Sequence, residues 1–575
     1  MAVGLPETAL DATPARVVRR ADLAPTLLTW ALLALLAAFI LYPLARVLFV
    51  AFSGEAGFTL RHLRNFFGRP LFREALWNSL LAGVLAMGFG SLIGVPLAYF
   101  TVKYRFRGKL VLQTLAVLPL VIPPFVGAVA LQLILGRSGM VNLLLLRWFE
   151  LRLPFMEGLT GVVLVQTLHY YPFIMLNAAA ALANTDPAME EAAQNLGSHG
   201  FRLFRRVTFP LMRPGFIAGT LLVFIRVIDD LGTPLMLNYT TLLAPQAYLR
   251  ITTVGIHDVD GYVICVVLVA LSLAALWLAR RYLGLAEYAT LQRGGTGASL
   301  SAPIGGLRLA AVWAVSGVIL LASLLPHLGI LLLSFSKVWS FSLLPARYTL
   351  ANYEEILFRA PHFVRNTLLY SGLAALADIV LGALIAYLLI RGRARGRNLL
   401  DAIATMPLAI PGVVLATGYL RTFHGWDVPG VGRPLTSTWI ILVIAYAMRR
   451  LPYTVRACYA ALQQIHLSLE EAAQNLGAHR GRTFRRITFP LMMGGLVAGG
   501  LIAFITSAVE LSSTIMLVPK IEFGPLAYGI YIYMQSAVGR GPGAALGVVA
   551  ILLVAAGTYL VNRLFARGTG TAFKV

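Results

Sequence analysis

The sequence predicts an all-α integral membrane protein: twelve transmembrane helices arranged as two six-helix repeats with pseudo-two-fold symmetry. Three observations carry this. The 575 residues are 58% hydrophobic and only 12% charged, where a soluble domain carries about 25% charged residues. Apolar runs long enough to span a bilayer, about 20 residues each, recur along the whole chain. Finally, one polar stretch is written twice. "EEAAQNLGSHGFRLFRRVTFPLM" starts at Glu190 and "EEAAQNLGAHRGRTFRRITFPLM" starts at Glu470; 18 of the 23 positions are identical at an offset of 280.

In chain order, residues 1–22 form a tail with Arg16, Arg19 and Arg20 ahead of an apolar run from Leu23 to Phe52. A signal peptide has an apolar core of only about 7–15 residues, so this run is read as an uncleaved first span with its N-terminus in the cytoplasm. Further spans are expected near 76–101, 110–136, 158–184, 209–229 and 260–283, completing a first unit over 23–284. The segment "LAEYATLQRGGTGASLSAPIGG" is rich in Gly, Ser and Thr, the composition of a linker, so 285–305 is read as a cytoplasmic linker. Six more runs follow near 306–335, 367–391, 398–421, 436–463, 489–513 and 541–564, making a second unit over 306–566 and a cytoplasmic C-terminal tail over 567–575.

Loop charges support this topology. "VKYRFRGK" between spans 2 and 3 and "RGRARGR" between spans 8 and 9 each hold four basic residues, as cytoplasmic loops do. The segment Ser53–Leu76 runs against it: it should be external yet carries Arg61, Arg64, Arg69 and Arg73. The net charge of +23 is spread between apolar spans and forms no single face, so no nucleic-acid partner is expected; membrane lipid is. Cys265 and Cys458 lie in apolar surroundings, too few for a disulfide framework and without metal-ligand spacing.

The repeat extends beyond the polar stretch. "RFRGK" with "LPLVIP" (Arg105–Lys109, Leu118–Pro123) matches "RARGR" with "MPLAIP" (Arg393–Arg397, Met406–Pro411) at an offset of 288. Two such units side by side make an internal pseudo-dimer, with a pathway expected at the repeat interface. Pro119, Pro123, Pro124, Pro407 and Pro411 should kink spans 3 and 9.

The twice-written stretch reads as a short helix. Asp186 can cap it, Pro187 suits its first position, and Gly197 stops it. In the second copy Ser468 and Glu471 have capping-box spacing. Ala192, Ala193 and Leu196 share one face, and the alanines permit close approach of another surface. Phe201, Phe204 and Val207 then recur every third residue, with Arg202, Arg205 and Arg206 pointing elsewhere; this predicts a second piece lying on the membrane surface. Solvated loops that merely diverged slowly are disfavoured, because the spans around them differ far more between the halves.

These residues resemble the EAA motif of binding-protein-dependent ABC importer permeases. The match takes in Glu190, Glu191, Ala192, Ala193, Leu196 and Gly197, with Phe204, Val207 and Pro210. It also takes in Glu470, Glu471, Ala472, Ala473, Leu476 and Gly477, with Phe484, Ile487 and Pro490. The resemblance implies the fold of a type I importer permease in the bacterial cytoplasmic (inner) membrane. It implies that each stretch is a coupling helix docking into an ATP-binding subunit, so that two copies of that subunit bind. It also implies delivery of solute by a periplasmic or extracellular binding protein. ATP and Mg would be bound by the partners, with no cofactor, metal or catalytic residue in this chain. In agreement, the one Gly-Lys pair, Gly108–Lys109, is followed by Leu110, which is no phosphate-binding loop. Fused permeases with two such motifs resemble the iron(III) group, so iron(III) is the expected solute. 2-Aminoethylphosphonate, thiamine or polyamine is the alternative within the class, and a secondary transporter of the major facilitator type the alternative outside it.

Ionisable residues inside spans mark function by default. Arg226, Asp229 and Asp230 end span 5, and the offset of 280 carries Asp230 to Glu510. Two readings stand: carboxylates facing each other across the pathway as a gate or weak site, or a span end where Asp229 or Asp230 pairs with Arg226. His169, Tyr170 and Tyr171 find Arg449, Arg450 and Leu451 at their repeat positions, so symmetry assigns them no role beyond packing.

Overall fold

The computed structural model describes residues 23–55, 57–285, 301–339, 341–392, 395–428, 430, 432–535 and 539–568. The N-terminal tail, most of the linker and the last seven residues, with the cytoplasmic placement expected for the termini, lie outside them. Regular extended structure among the described residues is confined to two pairs of two-residue strands. Ser53–Gly54 pairs with Gly57–Phe58, and Tyr104–Arg105 with Ala302–Pro303. The second pair ties the end of the linker to the basic loop after span 2. Everything else regular is helical, as the apolar runs require, because a helix satisfies its own backbone groups in lipid.

Ten helices among the described residues are long and apolar enough to cross a membrane, and an eleventh results if one sharply bent pair counts as a span. The twelve expected runs map onto this set with three departures. The run 110–136 is divided: Lys109–Val117 passes through a tight turn at Leu118–Leu120, and a new helix runs over Pro124–Leu135. Its counterpart bends by 110° between Arg397–Ala409 and Gly412–Phe423. The prolines are the cause: Pro123 and Pro411 sit in extended conformation immediately before the new helices, where a continuous helix would lose its bonds. The predicted span near 436–463 forms one helix, Ile440–Gln463. It falls short in apolar character because it carries Arg449, Arg450 and Arg456.

The halves are not simply side by side. Tyr42–Phe52, from the first span, packs on Gly412–Phe423 of the second half, while Gly306–Ser334, the first span of the second half, packs on Pro124–Leu135 of the first. Two hydrogen bonds pin these exchanges: Tyr419 Oη donates to the Phe39 carbonyl at 2.8 Å, and His327 Nε2 lies 3.2 Å from the Leu118 carbonyl. The main buried cluster accordingly draws on both halves, from Leu36 and Ile40 to Tyr419 and Val414.

Within each half the second, fourth and fifth spans form the tightest bundle: Pro70–Lys103, Gly158–Ala183 and Phe209–Asp229, then His362–Ile390, Ile440–Gln463 and Phe489–Ala508. Glycines allow it. A methyl group at Gly219 would lie 2.8 Å from Ile174 Cα, and one at Gly499 would lie 2.9 Å from Thr454 Cα. This is the close backbone approach that membrane helices use in place of a hydrophobic drive.

Of the four arginines that ran against the expected topology, Arg69 has side-chain partners. Arg69 pairs with Asp260, and Arg69 and Arg250 both lie over the Phe72 ring. That places the segment before span 2 beside the segment before span 6, on one side of the bundle.

Candidate functional site: two exposed helices and a buried ion network

The twice-written stretch forms the same object twice. Pro187–Asn195 is a nine-residue helix whose N-cap Asp186 accepts the Ala188 N–H at 2.9 Å. Gly197 ends it with φ +83°, and Ser198 N–H returns to the Ala193 carbonyl at 2.9 Å, a left-handed stop that favours glycine. The second helix, Leu467–Asn475, ends the same way at Gly477, φ +86°, with Ala478 N–H on the Ala473 carbonyl. Its start differs from expectation: the cap position is His466, with no side-chain cap bond, and Ser468 lies inside the first turn. The Ser468–Glu471 capping box therefore does not form, because Ser468 is two residues too far along.

The two glutamates of each motif divide their work. Glu190 points into the protein, accepting from Lys103 Nζ at 2.7 Å and from Thr208 Oγ1 at 2.8 Å. Glu470 accepts from Arg391 Nε at 3.0 Å, and Arg391 also donates to the Ile465 carbonyl at 2.7 Å. Lys103 and Arg391 are repeat partners at the 288 offset, one at the end of Pro70–Lys103 and the other just beyond His362–Ile390. Each short helix is thus held to the end of a long helix of its own half. Glu191, Ala192, Glu471 and Ala472 are exposed, and Ala193 and Ala473 half-buried. Leu196 is 89% exposed and Leu476 90% exposed. A leucine held fully in water at the same point of both copies marks a surface built for contact.

The piece after each helix is not a separate surface helix, as expected from its three-residue period. Gly200–Leu203 runs through a wider π-helical turn, Phe204–Thr208, directly into Phe209–Asp229. The three-residue period belongs to the start of the span itself. Phe204 meets Tyr99 edge-on at 5.5 Å, and Phe484 meets Tyr387 at 5.1 Å, so this turn too is fixed to the end of the same long helix.

At the other end of the fifth span, the expected residues gather with others that sequence reasoning set aside. Asp229 pairs with Arg449, Arg449 also pairs with Glu510, and Glu510 pairs with Arg450. Arg226 does not pair with Asp229 or Asp230 as one reading held; it donates to Tyr453 Oη at 2.6 Å. Asp230 does not meet Glu510. It accepts from Gln166 Nε2 at 3.2 Å and from the Thr233 N–H at 3.1 Å. Glu510 likewise accepts the Ser513 N–H at 3.2 Å. Asp230 and Glu510 are therefore equivalent as caps of the next turn, while Asp229, one residue earlier, makes the link across the halves. The paired groups are two arginines (449, 450) and two carboxylates (229, 510), so this ion network is neutral as drawn. Neutrality is what a low-dielectric setting demands of buried charge. The signal for Arg449 and Arg450 was present in the sequence: two adjacent arginines inside an expected span are as costly as the acids.

Both copies of the polar stretch and both proline breaks fall inside two matches to one family model, described as "Binding-protein-dependent transport system inner membrane component", over residues 90–284 and 378–570. The chain belongs to this family. It is thus a multi-pass permease subunit of an ABC importer, a translocating subunit and not an enzyme. Permeases of this family work with an ATP-hydrolysing subunit and a solute-binding protein, and the major facilitator alternative falls. The ferric transport system permease protein FbpB of Actinobacillus pleuropneumoniae is 27% identical over 84% of this chain and 70% of its own length. A putative ferric permease of Haemophilus influenzae is 26% identical over 84% and 76%. The molybdenum permease ModB of Escherichia coli is 31% identical, covering 36% of this chain and 93% of its own length; it is similar to one half.

Proposed function

We propose that this permease carries iron(III), delivered by an external binding protein, through a pathway between its two halves in the bacterial inner membrane. The observation that carries the coupling part is the pair of exposed helices at 187–195 and 467–475, each anchored through its first motif glutamate to a basic residue closing a long helix. Such a helix is free to be gripped on its outer face and rigidly joined to a span on its inner face. Two docking helices support two copies of the ATP-binding subunit per chain. Their approach on ATP binding would push Glu191–Gly197 and Glu471–Gly477 together and rock the halves about the ion network. ATP and Mg belong to those partners.

The cargo reading rests on the ferric relatives, which align along both halves, whereas the molybdenum relative covers one. ATP-driven uptake of radioactive iron into vesicles holding the chain, its ATPase and its binding protein tests it. Uptake of iron(III) that excess molybdate or sulfate does not reduce is the expected result. Oxyanion uptake without iron uptake would overturn the cargo and leave the importer class intact.

A further inference from the structure

We infer that Asp229 is a plug seated in a socket of the other half, and that this seat is a latch that must release for the pathway to open. Asp229 ends the fifth span of the first half, yet three of its contacts reach into the second half. Its Oδ1 accepts the Gly412 N–H at 2.7 Å, its Oδ2 pairs with Arg449, and its backbone carbonyl accepts from Ser512 Oγ at 3.3 Å. The socket is shaped for this. A methyl group at Gly412 would lie 2.0 Å from Arg449 Nη1 and 2.9 Å from Ser512 Cβ, so only glycine leaves room for the guanidinium. Gly412 is also the first residue after the Pro411 break, where a helix's leading N–H groups are free to bind an anion.

The latch exists once. By the repeat offsets, Asp229 corresponds to Val509, Gly412 to Pro124, Arg449 to His169 and Ser512 to Gly232. Val509 has no carboxylate, and Pro124 has no N–H to give. A symmetric pair of subunits would have to build such a contact twice or not at all; a fused chain can build it on one side.

When the halves separate, the network divides along a defined set of bonds. Arg449 and Arg450 share Glu510, and all three lie in the second half; this group stays together. The bonds that cross, and break, are the Asp229–Arg449 pair, the Gly412 and Ser512 bonds to Asp229, and the Arg226–Tyr453 bond beside them. Opening then bares one carboxylate to the pathway, beside the capped Asp230, where a cationic cargo replaces the guanidinium it has lost. The last step rests on the iron(III) reading, and the latch itself does not.

The test is thiol labelling of Ser512→Cys in the chain purified with its partners, using a water-soluble maleimide with and without a non-hydrolysable ATP analogue. Cys265 and Cys458 are fully buried, and the unsubstituted chain sets the background. Adding Asp229→Asn, or separately Arg449→Lys, which keeps the charge on Glu510 but cannot span two carboxylates, should speed labelling about tenfold, the effect of losing one charge-assisted bond. Both should also shrink the response to nucleotide, which general loosening of the fold would not do. Unchanged labelling in both assembled variants, or an undiminished nucleotide response, overturns the latch. Absence of an ATPase from the purified complex would instead overturn the importer reading, and the nucleotide-free labelling rates would still report on Asp229.

Discussion

Replacing Glu190 by glutamine separates anchoring of the helix at 187–195 from its folding. Glu190 holds Lys103 at 2.7 Å and Thr208 at 2.8 Å, and the two ionic side chains are 12% and 13% exposed. Glutamine keeps an acceptor for Thr208 and loses the ion pair. Breaking a fully buried pair costs about 3–5 kcal/mol. Lys103 can turn its ammonium toward water, so the loss here should be about 2 kcal/mol, within the range of a hydrogen bond to a charged group. That corresponds to about a thirtyfold rise in the undocked population of the helix. Amide hydrogen exchange over 187–197 should quicken by about that factor, while exchange in the core of 158–183 stays put. Transport should fall although the ATPase still binds. In the second half Arg391→Leu should exceed Glu470→Gln in effect, because Arg391 also holds the Ile465 carbonyl. Unaltered exchange over 187–197 in Glu190→Gln would refute the anchoring role.

Other outcomes follow from the same geometry. Alanine at Gly197 or Gly477 must adopt a left-handed conformation at φ +83° or +86°, at a cost of about 1–2 kcal/mol; the last turn should fray and retention of the ATPase on affinity purification should weaken. Gly219→Leu forces apart helices whose backbones already touch at Ile174 and Phe173, so the melting temperature in detergent should drop and the yield with it. Asp378 is fully buried, and neither of its carboxyl oxygens has a hydrogen-bond partner in the described residues. Asp378→Leu removes that group and keeps the side-chain branching, at some cost in volume, and should raise the melting temperature by a few degrees.

Composition and repetition made the class legible. The apolar runs located the helices, and the doubled stretch located both short helices with their glycine stops and the Asp186 cap, but put the second cap two residues too late, at Ser468. The proline break was legible for the same reason, since Pro123 and Pro411 forbid a continuous helix. What stayed hidden depended on contacts between distant segments. Nothing local ties Lys103 to Glu190 or Arg391 to Glu470; only the 288 offset hints that the two basic residues are equivalent. The exchange of first spans leaves no mark in sequence, because a helix that packs on the opposite half is as apolar as one that packs on its own. The ion network shows where symmetry misleads. Repeat arithmetic pairs Asp230 with Glu510, and they are indeed equivalent as caps, yet the link between halves is made by Asp229, whose repeat partner is Val509. Symmetry gives Arg449 no role, because its repeat partner is His169 and its contact with Asp229 has no counterpart at the repeat positions.

Native mass spectrometry of the nucleotide-free complex addresses the coupling helices most directly. The unsubstituted chain should carry two ATP-binding subunits. Leu196→Glu or Leu476→Glu, which places a charge on the exposed leucine of one docking helix, should leave one, and the double variant none. A complex that keeps both subunits when both leucines are replaced would contradict the assignment of these two helices as the docking sites.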